Sequence, residues 1–93
     1  MTNHWIVSPE QLNWSHEEWL DHYEAGTGRT YESSVLEAAD ESCMLQPRDL
    51  GRLLREHGTS AMEYIQAHAD AVEEELEVLP LNHAGQVLSW LGY

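Results

Sequence analysis

The sequence predicts a small all-α domain of about five or six short helices, bundle-like or orthogonally packed. Three observations carry this. Apolar residues recur at steps of 3 and 4 rather than at the alternating step of a strand. Ser followed three residues later by Glu or Gln, a helix-start device, recurs along the chain. No strand-period run, internal repeat or low-complexity linker occurs after the first eight residues. At 93 residues, a single domain over 1–93 follows.

Residues 1–8 read as a short arm with Trp5, Ile6 and Val7 available to dock. In "SPEQ", Ser8, Pro9 at the first helical position and Gln11 start one short helical turn. "SHEEWLDHYEAG" repeats the device: Ser15 caps, Glu18 closes the box, Gly26 stops the helix, and Trp19 and Tyr23 share a face. "GTGRT" is the flexible loop. "YESSVLEAADESCML" then reads as one helix with Val35, Leu36, Ala39 and Cys43 at helical spacing. Pro47 opens the next helix, which ends at Gly58 with Leu50, Leu53, Leu54 and His57 as its apolar stripe.

The segment "TSAMEYIQAHADAVEEELEVLP" reads as the clearest helix. Ser60 caps, Glu63 completes the box and Pro80 ends it. Met62, Ile65, Ala69, Val72, Leu76 and Leu79 follow steps of 3, 4, 3, 4 and 3. This heptad-like stripe is under three heptads long and is expected to pack in a bundle. A last short helix starts at Asn82 and turns Ala84, Val87, Leu88 and Leu91 inward.

Charge dominates the composition. Seventeen acids stand against four cations, all Arg, giving a formal net charge of -13. Self-repulsion on this scale destabilises the compact state, so stability is expected to rise with salt. A saline cytoplasm, a GC-rich genome or simple surface acidity would each produce such a balance. A basic, nucleic-acid-handling partner is the functional alternative. Direct nucleic-acid binding is disfavoured, since it rests on neutralising phosphates with cations. One cysteine, Cys43, gives no internal disulfide and no CxxC site, and fits a reducing compartment. No signal peptide and no apolar run long enough to span a bilayer is visible, so a cytoplasmic protein is expected.

On a helix running to Leu79, Glu63, Asp70, Glu73, Glu74 and Glu77 fall within about 100° of one another, at spacings comparable with phosphates along a DNA strand. Such a row can stand in for phosphates in a basic cleft. An acidic outer face on an amphipathic helix is also what any acidic protein presents. Arg48, Arg52 and Arg55 share one helix face, which suits a phosphate contact, a helix-turn-helix, or pairing with nearby acids such as Asp49 or Glu56. Trp5, Trp14 and Trp90 lie near the chain ends and are candidate interface anchors; the alternative is a small core built on Trp and Tyr.

His16, His22, His57, His68 and His83 match no zinc-ligand spacing, and no cofactor or metal is expected. No residues group as a nucleophile pair, an acid–base pair or a phosphate loop, so no catalytic residues are assigned. In size, acidity and lack of catalytic equipment, the chain resembles the small phage-encoded inhibitors of bacterial machinery, such as anti-CRISPR and anti-restriction proteins. That resemblance implies a non-enzymatic inhibitor that blocks the nucleic-acid site of a basic protein. Antitoxins and assembly adaptors share these properties. A homo-oligomer built through the Met62 to Leu79 stripe and a helix-turn-helix DNA binder therefore remain alternatives.

Overall fold

The computed structural model describes residues 5–24, 28 and 30–93. A short 3-10 turn over Gln11–Asn13 leads into five helices: α1 (His16–Glu24), α2 (Tyr31–Ala38), α3 (Pro47–Glu56), α4 (Ala61–Glu73) and α5 (Ala84–Trp90). No strand occurs among the described residues; Met44 and His83 form an isolated antiparallel bridge. Helix α1 packs on α2, α2 on α5, and α3 on α4. The all-α class expected from the sequence is what the chain forms.

The helix starts follow the capping chemistry. Ser15 Oγ accepts from the Glu18 amide while the Glu18 carboxylate accepts from the Ser15 amide, both at 3.2 Å. Ser8 and Gln11 do the same around the first turn. Ser60 Oγ accepts from the Glu63 amide at 3.2 Å, but the Glu63 carboxylate takes the Thr59 hydroxyl instead of closing the box. Pro47 sits at the start of α3, and Gly58, at φ 73, follows its end. The expected stop at Gly26 and most of the expected loop lie outside the described residues.

Three boundaries depart from expectation. Helix α2 ends at Ala38 rather than near Leu45. The Asp40 carboxylate accepts from the Ser42 and Met44 amides at 2.8 and 3.0 Å, so a side chain competes successfully for donors the helix would have used. Cys43 then adopts φ 65 and reaches the core from a turn, not from a helix. Helix α4 ends at Glu73, six residues before Leu79. Glu75 takes φ 62, and the amides of Glu75 and Leu76 donate to the carbonyls of Val72 and Ala71, both at 3.0 Å. This is the C-terminal motif usually built on glycine, here with glutamate in the left-handed position. Finally, α5 is capped by His83, whose Nδ1 accepts from the Gly85 amide at 3.0 Å. Asn82, the expected cap, instead donates to the Leu45 carbonyl at 3.0 Å.

The core is centred on α5. Its residues Ala84, Gly85, Gln86, Val87 and Leu88 are all buried. Trp19 of α1 lies flat against it: a Cβ on Gly85 would sit 2.7 Å from the indole, so only glycine permits this approach. Leu36, Leu50, Leu53, Leu54 and Tyr64 close the rest. Gln86 is buried with both polar atoms engaged, accepting from the Leu79 amide at 2.9 Å and donating to the Trp5 carbonyl at 3.2 Å. It thereby ties the N-terminal arm and the segment after α4 to the central helix.

Candidate protein-interaction surface

Helix α4 carries the acidic residues singled out above, and it has three distinct sides. The inward side is Tyr64 and Ala71, with His68 half-buried beside them. The Tyr64 hydroxyl donates to the Leu81 carbonyl at 2.7 Å and His68 Nε2 to the Leu79 carbonyl at 2.8 Å. These polar tips hold the returning segment 74–83 by supplying donors to two of its part-buried carbonyls.

That choice of inward side overturns the expected packing of the heptad-like stripe. Met62 is 75% exposed, Val72 56% and Ile65 42%, with Ala69 also exposed. Leu79 is buried, but it lies beyond the helix and separate from that row. At about 100° per residue, Met62, Ile65, Ala69 and Val72 span roughly 80° of the solvent side. Glu63, Asp70 and Glu73 occupy the adjoining sector of similar width, with Gln66 between them.

The acidic row is correspondingly shorter than expected. Glu63, Asp70 and Glu73 are on one rigid helix, about 10 Å and about 5 Å apart along its axis. Glu74 is the C-cap, and Glu77 lies in the irregular segment after the reversal at Glu75. A single helical row of five carboxylates therefore does not exist. All five side chains are exposed, and none of the seventeen acids in the chain is buried. Helix C-termini favour cations, so Glu73, Glu74 and Glu75 sit where the helix dipole disfavours them.

The tryptophans proposed as anchors are half-buried. Trp14 stands edge-on to Trp19 at 4.9 Å between ring centres and against His22 at 5.1 Å. Trp90 packs edge-on to Tyr64 at 5.3 Å. Trp5 contributes its carbonyl to Gln86. Much of the aromatic mass serves the core. Among the described residues, the large exposed hydrophobic side chains besides those of α4 are Tyr31 and Tyr93, which flank His57 with ring centres 5.7 and 5.6 Å from it. His57 Nδ1 donates to the Leu53 carbonyl at 2.9 Å and its Nε2 faces the Tyr93 hydroxyl at 2.8 Å.

Arg48, Arg52 and Arg55 are exposed on α3, opposite its buried leucines. Arg52 pairs with Asp49 at 3.4 Å, one of the pairings expected from spacing. Between α2 and α3 lies an open cleft of about 260 Å³, floored by Val35, Leu45 and Leu53 and rimmed by Asp49, Arg52 and Glu56. The half-buried Tyr23 hydroxyl is pushed up to about 12, chiefly by burial. Burial, with Asp40 adding to it, raises the Cys43 thiol to about 11, which keeps this core group protonated at neutral pH. His16 Nε2 donates to the Leu36 carbonyl at 2.8 Å. Among the described residues, no three His, Cys, Asp or Glu side chains converge as a metal site. No helix among the described residues is long and apolar enough to cross a membrane. Comparison with protein-family models, curated proteins and solved structures gave no match.

Proposed function

We propose that this chain is a non-enzymatic inhibitor that binds a basic, nucleic-acid-handling protein and occupies its nucleic-acid site. The supporting observation is the acid surface of α4 and its C-terminal turn, which has no cationic partner among the described residues. Glu73, Glu74 and Glu75 work against the helix dipole, a cost of about 0.3–1 kcal/mol each, so the fold does not account for them. Glu63, Asp70, Glu73, Glu74 and Glu77 are the contact residues in this reading. They act as a patch of two segments rather than one phosphate-like row. Association is steered by the field of the whole chain and weakens with salt.

The test is a tagged pull-down from the native host at low and high salt, followed by competition. The chain should displace duplex DNA from the captured protein, and the triple change Glu63→Lys, Asp70→Lys and Glu73→Lys should abolish displacement while the fold survives. Unchanged displacement by that variant sinks the proposal.

A second reading is favoured by the exposed Met62, Ile65 and Val72: a homo-oligomeric assembly protein joined through α4. It requires a mass and a thermal midpoint that rise with concentration. The helix-turn-helix reading gains nothing from α4, whose solvent side carries three acids and no cation.

A further inference from the structure

We propose that the outer side of α4 is a docking seam for an amphipathic helix of the partner, with an apolar stripe bordered by Lys or Arg. This rests on the acidic-inhibitor reading and specifies how contact is made. Three of the five large exposed hydrophobic side chains of the described chain lie on this one helix. Met62 to Val72 spans about 15 Å, so Met62, Ile65, Ala69 and Val72 present anchors over nearly three turns. That is the period at which helices read one another through residues 3, 4 and 7 apart. The seam is held rigid, with Ser60 capping one end of α4 and the left-handed Glu75 closing the other.

Charge and area decide the occupant. A second copy adds another -13, and a two-fold pairing of α4 seams sets acid rows beside each other. A head-to-tail copy could offer Arg48, Arg52 and Arg55, but that face of α3 has no apolar residue to cover the row. The seam is roughly 15 by 10 Å, far below the ~800 Å² per partner of a stable interface, so apolar burial alone does not hold a dimer. Complementary charge along the Glu63–Asp70–Glu73 edge supplies the difference, and the matching surface is an apolar stripe with cationic borders.

The probe is a synthetic helix of about 18 residues, with leucines on one face and lysines on the other. A scrambled peptide of identical composition is the control. The isotope-labelled full chain is titrated with each, at about 0.05 M and about 0.5 M salt. The amphipathic peptide should bind at least tenfold tighter than the scramble, with the largest shifts at Met62, Ile65, Asp70 and Val72. Ile65→Gln with Val72→Gln should remove that tenfold preference without lowering the melting temperature. Equal binding of both peptides, with shifts spread over all acidic surfaces, overturns the seam and leaves the charge reading standing. Binding of neither peptide at low salt overturns both. Shifts at α4 on diluting the chain alone identify a second copy as the occupant and overturn the proposal.

Discussion

Helices α4 and α5 invert what their sequences advertise. Helix α4 has 13 residues, a capped start and a heptad-like stripe, yet only Tyr64 and Ala71 are buried along it. Helix α5 has seven residues and no charge, and buries five in succession. The difference lies in what each must satisfy. Helix α4 faces a returning segment with open carbonyls and meets it with the polar tips of Tyr64 and His68. Its larger hydrophobes are thereby turned to solvent. Helix α5 is enclosed by Trp19, Leu36 and the arm, and its single polar interior residue, Gln86, has both ends engaged. Periodicity finds an apolar stripe; hydrogen-bond demand decides which stripe goes in.

The contrast breaks most visibly under truncation. Leu88→Ala should cost about 2–5 kcal/mol, the range for emptying a core site. Met62→Ala or Ile65→Ala should change stability by no more than about 0.5 kcal/mol. Denaturant unfolding of the three variants decides; similar losses in all three would mean that α4 is packed like α5.

Acid should weaken α5 selectively. Burial is the main cause holding the His83 imidazole down at about 4 against its ordinary 6.5, with His16 adding to it and Asp40 opposing. The cap needs Nδ1 unprotonated to accept from Gly85. The unfolded chain takes up the proton below about 6.5 and the folded one only near 4. Stability from this group is therefore complete above about 6.5 and lost as pH falls towards 4, up to about 3 kcal/mol in all. His83→Asn, which retains a cap acceptor, should flatten that part of the pH–stability curve relative to the wild type.

Gly85→Ala sharpens the comparison through its sign. Helix propensity alone favours alanine by about 1 kcal/mol. The collision with the Trp19 indole should override this, for a net loss of about 1–3 kcal/mol in thermal unfolding. A gain is expected just past the end of α4: Glu75→Gly relieves a left-handed glutamate and should add about 1 kcal/mol.

Much of the fold was legible because its signals are local. The Ser8–Gln11 and Ser15–Glu18 boxes, Pro47 and the leucine stripe of α3 all act within a turn of themselves. The early ends of α2 and α4 were not legible. The first depends on the Asp40 side chain taking the Ser42 and Met44 amides, and the second on a left-handed Glu75 with no glycine to announce it. The His83 cap was hidden behind Asn82, a better capping residue that tertiary pairing with Leu45 diverts. Of the surface, the exposed acids of α4 were readable from their phase on the helix. The apolar row beside them was visible as a pattern and assigned to the wrong side. An alternative stripe, Ala61, Tyr64, His68 and Ala71, runs at steps of 3, 4 and 3, and its polar tips were the available clue.

The measurement that tests the account most directly is methyl and backbone NMR with a soluble paramagnetic agent in the buffer. Broadening should be strong at Met62, Ile65 and Val72 and weak at Val87 and Leu88. Protection of the α4 methyl groups to the level of Leu88, in a chain shown to be monomeric, would contradict it and remove the surface on which the docking proposal stands.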